Sequence, residues 1–365
     1  MSPSLRFPEF TGEWKRCVLG DVLEFSNTRI NSSELNSGNY VSTENILQNF
    51  QGIVKARSIP EDTNVMAFSC GNILLSNIRP YLKKVWKATF NGGCSSDVFV
   101  LQANSNIDAD YLHYVVANDK FIGFVMNGAK GVKMPRGDKN QMKTYSLSLP
   151  SIKEQRKISR FLSFLDERIA VQNRLIEDLK KLRCAVSNKL FQSVKGVVIP
   201  LSGISNIVKG KQINGDFLAD VGEYYVMNGG TEPSGYYDNY NVEANTISIS
   251  EGGNSCGYVQ FNRMPFWSGG HCYTIQDIVS DVETLYLYHY LKSKEESIME
   301  LRIGTGLPNI QKKDLAEFKV IIPAIEQQRT ISNILSLLER KTEVEGRMLI
   351  AMRTEKQYLL RQMFI

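Results

Sequence analysis

The chain has 365 residues, of which 42% are hydrophobic and 22% are charged, and its formal net charge at pH 7 is +5. That composition is ordinary for a globular protein and excludes collagen-like and intrinsically disordered chains. The length predicts two or three domains, and so small a net charge argues against a uniformly basic nucleic-acid binder.

The N-terminal residues MSPSLRFPEF contain no apolar segment of a secretory signal, and no apolar run approaches the roughly 18 residues that a membrane helix needs. Six scattered cysteines include no CxxC pair, and the chain has three histidines. This pattern favours free thiols in a reducing compartment over disulfides or a metal site. We therefore expect a cytoplasmic protein that binds no metal.

Residues 1–150 are predicted to form a first module of mixed structure, with 16 Lys/Arg against 13 Asp/Glu. Short apolar runs such as GNILLSNI and DVFVLQA alternate with turn signals, which indicates short strands of a largely antiparallel sheet. Asn91-Gly92-Gly93 is typical of a hairpin turn. One helix is predicted near DADYLHYVVANDKF.

Residues 151–195 are predicted to form one long helix of about 60 Å at 1.5 Å per residue. They carry 11 Lys/Arg against 5 Asp/Glu. Apolar residues recur at alternating spacings of four and three, the a/d pattern of a coiled coil, which Gln172 and Arg183 interrupt. The predicted helix–helix contact positions are Ile158, Leu162, Leu165, Ile169, Ile176, Leu179, Val186 and Leu190.

Residues 196–323 are predicted to form a second α+β module, which is acidic, with 9 Lys/Arg against 15 Asp/Glu. NTISISEGG and CYTIQD read as strands, Asn228-Gly229-Gly230 as a hairpin turn, and ETLYLYHYLKSKEE as the one helix of the module.

Residues 324–365 are predicted to form a second long helix with 7 Lys/Arg against 5 Asp/Glu, interrupted at Glu345 and Lys356. A single apolar stripe needs a partner, so the two helices are predicted to pack as an antiparallel coiled coil whose polar residues set the register. Replacing Arg183 and Lys356 with Leu is then expected to raise stability and to broaden the association states. The contact positions are Ile331, Leu335, Leu338, Leu349, Met352 and Leu359.

The chain contains an internal repeat. LPSIKEQRKIS (149–159) matches IPAIEQQRTIS (322–332) at an offset of 173 residues, and the register holds without a gap from Gly131 and Gly304 to Phe191 and Phe364. Upstream the match is looser: ILLS (73–76) resembles ISIS (247–250) at an offset of 174. The N-terminal portions of the two repeats diverge, whereas the C-terminal portions are similar. This pattern predicts two modules that perform the same function on different targets and are arranged with pseudo-two-fold symmetry.

No catalytic motif accompanies this architecture. The sequence lacks GxxxxGK[ST], HExxH and any Pro-Pro dipeptide, and Glu13-Trp14-Lys15 has no upstream Pro-Asp partner. The three histidines, at positions 113, 271 and 289, lie among apolar and aromatic residues, which favours core or rim positions. The chain is therefore predicted to bind partners without catalysing a reaction.

The duplicated Pro-x-x-x-Gln-Arg segments, each leading into a long helix as FLSFLDERI and ILSLLERKT, resemble the DNA-specificity subunit of type I restriction–modification systems. VKGKQINGDF, YYVMNGGTEPSGYYDNY and ISEGGNSCGYV are similar to its target-recognition domains, as is ILLSNIRPYLKKVWKA. The resemblance covers essentially the whole chain.

The resemblance implies that each module reads one half of a split sequence in double-stranded DNA and that the helices fix the spacing of the halves. The implied partners are two methyltransferase (modification) subunits and the restriction/translocase subunits, with no membrane. The chain itself would be non-catalytic and would bind no cofactor, while S-adenosylmethionine, ATP and Mg are expected on the partner subunits.

DNA contact requires Lys or Arg for phosphates and bidentate or amide side chains for bases. The candidates in the first module are Arg79, Lys83, Lys84, Lys87, Lys130, Lys133, Arg136, Lys139 and Asn140. Those in the second module are Lys209, Lys211, Gln212, Asn228, Arg263, Asn309, Gln311, Lys312 and Lys313.

Two alternatives remain open: a coiled-coil interaction scaffold with two protein-binding heads, which the acidic second module favours, and an enzyme with an irregular active site. The same acidity predicts weak DNA binding by the isolated chain and a modest dependence on salt.

Overall fold

The computed structural model describes residues 3–304, 306 and 308–364. The chain separates into two compact units. Unit 1 comprises Met1–Gln172 and Met348–Ile365, and unit 2 comprises Asn173–Arg347. Each unit therefore contains one module together with a segment of both long helices.

Unit 1 is built from short strands and three helices around an apolar core. Its strands are β1 (Lys15–Val18), β2 (Leu23–Phe25), β3 (Arg29–Asn31), β4 (Tyr40–Val41), β5 (Asn64–Phe68), β6 (Ile73–Ser76), β7 (Val85–Lys87), β8 (Gly92–Cys94), β9 (Val98–Ala103) and β10 (Ser146–Leu149). Its module helices are α1 (Ala109–Val116), α2 (Asp119–Asn127) and α3 (Lys139–Lys143). The sheets have the orders β2-β9-β6-β7, β3-β5-β8-β4 and β1-β10. Strands β4 and β8 pair in parallel, and the other neighbouring strands of these sheets pair antiparallel.

Unit 2 follows the same plan. Its strands are β11 (Val197–Pro200), β12 (Asn206–Lys209), β13 (Tyr224–Met227), β14 (Gly235–Tyr237), β15 (Thr246–Ser250), β16 (Val259–Asn262), β17 (Trp267–Ser268), β18 (Cys272–Gln276) and β19 (Lys319–Ile322). The two long helices are α4 (Ile152–Ser193) and α8 (Ile325–Met363), and the module helices of unit 2 are α5 (Thr284–Ser293), α6 (Glu295–Met299) and α7 (Lys312–Ala316).

The main sheet of unit 2 has the order β12-β18-β15-β16, which corresponds strand by strand to β2-β9-β6-β7 of unit 1. All three pairings within it are antiparallel. The predicted α+β class with mainly antiparallel sheets is therefore confirmed. The two modules differ more in their smaller sheets, β3-β5-β8-β4 against β14-β13-β17, where the repeat is also weakest in sequence.

Two local predictions were wrong. Gly92 and Gly93 lie in strand β8 and do not form a hairpin turn. A Cβ on Gly92 would lie 2.0 Å from the carbonyl oxygen of Asn39, so these glycines permit close backbone approach. The structure also has two consecutive helices where one was predicted in each module, because Asn118 caps the start of α2 through its side chain and Lys294 separates α5 from α6.

The long helices α4 and α8 pack against each other in antiparallel orientation, as predicted. In unit 1, Leu162 near the start of α4 shares a core with Leu359 near the end of α8. In unit 2, Phe191 near the end of α4 shares a core with Ile331 near the start of α8. All fourteen contact positions chosen from the heptad pattern are buried or half-buried. None of the described helices is both long enough and apolar enough to cross a membrane.

Two cross-helix ion pairs occupy equivalent places in the repeat. Lys356 pairs with Asp166 in unit 1, and Arg183 pairs with Glu339 at 3.3 Å in unit 2. The heptad positions identified the cations but not their carboxylate partners. Leu at either position would remove the paired cation from a partly buried carboxylate, so with these partners present we expect Leu to lower stability. The other two polar interruptions, Gln172 and Glu345, are buried.

The repeated glutamine of the two matching segments joins each long helix to its module. The side chain of Gln155 accepts a hydrogen bond from the Asp108 amide at 2.8 Å and donates to the Pro150 carbonyl at 2.9 Å. Asp108 is the residue that caps α1. This one buried amide therefore fixes the first turn of α4 against the first turn of α1.

Unit 2 has the same junction. Gln328 accepts from the Glu283 amide at 2.8 Å and donates to the carbonyls of Pro323 and Asp281, each at 2.9 Å. Glu283 caps α5. Both glutamines have 1% of their surface exposed, so a hydrocarbon replacement would leave buried backbone groups unsatisfied. This explains why the eleven-residue segment occurs twice.

Two core histidines predict a pH dependence of stability. Burial lowers the pKa of both His113 and His289 to about 4, and the nearby cations Lys356 and Arg183 respectively add to the effect. The unfolded chain, with histidine pKa near 6.5, binds more protons, so stability is complete above about pH 6.5 and is lost as the pH falls towards about 4. Urea unfolding between pH 7 and 5 should show a smaller loss for His289→Gln than for wild type, and parallel profiles would contradict this assignment.

Candidate nucleic-acid interface

In unit 1 the predicted DNA-contacting loops meet at the end of β6. Asn77, the residue after β6, donates its backbone N–H to the Asp97 carbonyl at 2.8 Å and accepts from the Gly137 amide at 3.1 Å. The loop that immediately precedes Gly137 is closed by two backbone hydrogen bonds between Lys130 and Arg136, of 3.0 and 2.9 Å. One backbone frame therefore holds three separate segments of the module side by side.

Unit 2 repeats this frame at the end of β15. Glu251 donates its backbone N–H to the His271 carbonyl and accepts from the Ile310 amide, both at 2.9 Å. Two backbone hydrogen bonds between Ile303 and Asn309, of 2.9 and 3.0 Å, close the equivalent loop.

Both loops begin with a glycine in the left-handed region, Gly131 with φ +96° and Gly304 with φ +98°. That conformation is strained for other residues, which accounts for the repeated glycine.

Several predicted cations of unit 1 are already paired within the unit. The pairs are Lys83 with Asp119 at 2.7 Å, Lys87 with Asp110, Lys130 with Asp138 at 2.8 Å, and Arg136 with Asp97 at 2.9 Å. Exposed pairs are worth only about 0–1 kcal/mol. A DNA phosphate can therefore replace the carboxylate at little cost where the cation is accessible, as at Lys130 and Arg136, whose side chains are 81% and 52% exposed.

The remaining candidates of unit 1 have different surroundings. Lys84 donates to the Thr43 carbonyl at 2.5 Å, and burial lowers its pKa, so it is poorly placed to meet a phosphate. Arg79 and Lys133 are exposed and have no ion-pair partner among the described residues. Asn140 lies in the first turn of α3, where its backbone N–H donates a hydrogen bond to the side chain of the capping residue Asp138.

Lys139 lies over the ring of Phe99, 5.2 Å from the ring centre. It also lines a cavity of about 430 Å³ together with Asn27, Arg29 and Asn64. The sequence search missed these cavity residues because they are spread over separate strands and form no charged run.

In unit 2 the loops after β12, β13 and β17 converge. The Lys211 amide donates to the Ser268 carbonyl at 2.9 Å, and the His271 amide donates to the Asn228 side chain at 3.2 Å. Gln212 packs against the same segment, since a Cβ on Gly270 would lie 2.6 Å from its side-chain oxygen. The structure thus brings these separate candidates of the second module together.

Asn309 and Gln311 are hydrogen-bonded to each other at 2.9 Å, and Lys312 and Lys313 form the start of α7. Arg263 lies elsewhere. Its guanidinium approaches carboxylates of α8, Glu339 at 3.7 Å and Glu343 at 3.9 Å, so it faces the helix.

Lys209 pairs with Glu251 at 2.6 Å. Glu251 and His271 were missed as site residues because the search looked for cations and amides. The ILLS/ISIS match would have indicated this position, since the next residue in each copy is the one that organises the loops.

The sequence profile of the type I restriction modification DNA specificity domain matches residues 11–181 and 194–351. A type I specificity subunit from Mycoplasma pneumoniae is 34% identical over 145 residues, which cover 39% of this chain and 38% of that protein. One from Mycoplasma genitalium is 25% identical over 226 residues, which cover 58% of this chain and 59% of that protein. The matches thus span about two fifths and three fifths of these relatives.

The fold is similar to two solved structures. The crystal structure of the S subunit of a type I restriction-modification system from M. genitalium has a TM-score of 0.72 at 21% identity and covers 100% of this chain and 99% of that chain. A chain from a study of type I R-M complex assembly and conformational transition has a TM-score of 0.59 at 18% identity, with 96% and 97% coverage. At these identities the likeness shows a shared fold.

Proposed function

Because the chain belongs to the type I restriction–modification DNA specificity family, we propose that it recognises a bipartite sequence in double-stranded DNA, with one half-site read by each module. The observation that carries the proposal is the repeated frame at the ends of β6 and β15. The same backbone hydrogen bonds occur in both modules, but the side chains at the corresponding positions differ in type. The modules therefore share a backbone geometry and differ in the groups that they can bind. The paired helices α4 and α8 set the distance between half-sites.

We propose that two copies of a methyltransferase subunit dock on the helices. Phe164 and Val171 of α4, seven residues apart, have 49% and 68% of their surface exposed. Their repeat equivalents on α8, Leu337 and Val344, are 65% and 40% exposed. An i, i+7 apolar pair lies on one face of a helix, and its occurrence once in each unit suits two identical partners.

Disrupting one apolar pair should remove one partner. Phe164→Asp with Val171→Asp, or Leu337→Asp with Val344→Asp, is expected to yield complexes with one methyltransferase subunit, because charged side chains cannot be buried at the contact. Native mass spectrometry measures the stoichiometry.

Leu182→Asp is the matched control. Leu182 is also exposed, at 48%, but its repeat equivalent is Glu355, so a site shared by both repeats cannot require an apolar group there. If both double variants still bound two methyltransferase subunits, this docking surface would be excluded.

We propose that the chain performs no chemistry itself. S-adenosylmethionine would be bound by the methyltransferase subunits, and ATP and Mg by restriction/translocase subunits, with this chain directing the complex to its target. Among the described residues, no group of three or more His, Cys, Asp or Glu could hold a metal ion.

The deciding experiment is to co-express the chain with a type I methyltransferase subunit from the same genome and to map N6-methyladenine by long-read sequencing. A methylated motif of two short halves around a fixed gap is expected. Soluble, co-purifying proteins that add no methylation would favour the interaction scaffold, which the net charge of −6 over residues 196–323 also favours.

The isolated chain is expected to bind DNA weakly and with a modest salt slope, because the second module is acidic and six of the candidate cations already face carboxylates. Lys133→Ala should lower affinity about equally for all sequences and reduce the slope of log K against log salt by about 1. Fluorescence anisotropy at several salt concentrations checks this. Tight binding with a steep slope would contradict it.

A further inference from the structure

We propose that three equivalent positions in each module determine which base that module reads. In the first module they are Asn77, Asp97 and Arg136, and in the second they are Glu251, His271 and Asn309. This inference rests on the proposed function and names the residues that would give the two half-sites different sequences.

The equivalence of the positions follows from their backbone contacts. Asn77 and Glu251 each follow the corresponding central strand and each donate to the carbonyl of the second position, Asp97 or His271. The third position forms an isolated bridge with the residue after the first, Ile78 with Arg136 and Gly252 with Asn309. In both modules the three positions therefore meet at one place in the fold.

The inner position of each cluster holds an acceptor that the chain does not satisfy. Five buried side-chain polar atoms lack a hydrogen-bond partner among the described residues, and two of them, Oδ1 of Asn77 and Oε2 of Glu251, fall on this single pair of equivalent positions. The imidazole Nδ1 of His271 lies 3.6 Å from Glu251 Oε2, beyond hydrogen-bond distance. Buried acceptors are rarely left unpaired, so these two acceptors are available to a donor from outside the chain, water or a base.

Each cluster also has an outer side chain that is exposed to solvent. The Arg136 side chain is 52% exposed and forms an ion pair with Asp97 at 2.9 Å through one guanidinium nitrogen, which leaves further donors available. The His271 side chain is 65% exposed above Glu251. A base edge that approaches either cluster therefore meets this exposed side chain, with the buried acceptor at the neighbouring position.

The two clusters offer different hydrogen-bonding groups. The first combines a guanidinium, a carboxylate and an amide, and the second combines an imidazole, a carboxylate and an amide. Guanidinium donors match the O6 and N7 acceptors of guanine, whereas carboxylates accept from the exocyclic amino group of cytosine. The two clusters therefore combine the same backbone frame with different side chains. Two modules that recognise different half-sites require this arrangement.

The test is a binding selection from a randomised duplex library, using the full chain assembled with its methyltransferase subunits. Glu251→Gln keeps the size of the side chain and replaces one acceptor with a donor. It is expected to change the preference at one base position of one half-site by roughly tenfold and to leave the other half-site unchanged. Asn77→Asp should change only the opposite half-site. Glu317→Gln, the same substitution at an exposed position of the second module, is the control and should leave both preferences intact.

His271→Ala provides a second measurement if Glu251→Gln does not fold, since the exposed imidazole is not part of the core. It should alter the same half-site as Glu251→Gln. Variants that keep both motifs and bind every sequence more weakly by the same factor would show a structural role only and would overturn this inference, while the bipartite wild-type motif would still support the proposed function. A wild-type complex that selects no bipartite motif would overturn both.

Discussion

Replacing Gln155 or Gln328 with Leu is expected to destabilise the corresponding unit by about 2–4 kcal/mol. Each glutamine satisfies the partly buried amide of a residue in another segment and the buried carbonyl of the proline that precedes its own helix. Leu fills a similar volume but cannot bond either group, and each buried unsatisfied group costs about 1–3 kcal/mol. The loss should exceed that of most substitutions because the amide belongs to a helix-capping residue, whose N–H has no intrahelical partner.

Hydrogen exchange measures this effect at the affected groups. Gln155→Leu should increase exchange at the Asp108 amide and along α1, and Gln328→Leu should do so at the Glu283 amide and along α5. Gln327→Leu is the matched control, since its side chain is exposed one residue away, and its effect should stay within about 0.5 kcal/mol. Unchanged protection at both amides would show that the glutamines do not hold the junctions.

The helices could be predicted from sequence because periodicity is a local signal. Most positions at alternating spacings of four and three along α4 and α8 are apolar, and a helix places residues with that spacing on one face. The function of Gln155 could not be predicted in the same way. Its partner Asp108 lies 47 residues earlier, and only the packing of the module on the helix brings them together. The repeat marked the residue as important without giving the reason.

The candidate site shows the same limit. Charge and amide content selected Lys83, Lys87 and Arg136, but their carboxylate partners lie 36, 23 and 39 positions away in sequence, at Asp119, Asp110 and Asp97. A run of lysines therefore indicates a basic segment, whereas its free charge depends on the tertiary fold. The predicted hairpin turn at the two glycines of β8 was wrong for a related reason, since close backbone approach and a turn can both require glycine.

The cross-helix pair of Lys356 and Asp166 gives the second large effect. Lys356→Glu is expected to destabilise unit 1 by about 2–3 kcal/mol, because it breaks an ion pair whose lysine side chain is only 16% exposed and places a second carboxylate beside Asp166. Asp166 also accepts from the Tyr114 hydroxyl at 2.8 Å. The double variant Asp166→Lys/Lys356→Glu should recover part of the loss by restoring opposite charges in the same register. Recovery should be incomplete because lysine cannot accept from Tyr114.

Urea unfolding of the wild type, both single variants and the double variant gives the coupling energy, expected at about 1–2 kcal/mol. Glu177 and Lys180, an exposed pair within α4, provide the control cycle, whose coupling should stay below about 0.5 kcal/mol. Strong coupling between Asp166 and Lys356 requires that the start of α4 and the end of α8 lie side by side in solution. Additive single effects would mean that the helices do not pair in this register, and the length of the paired helices could then not set the spacing between half-sites.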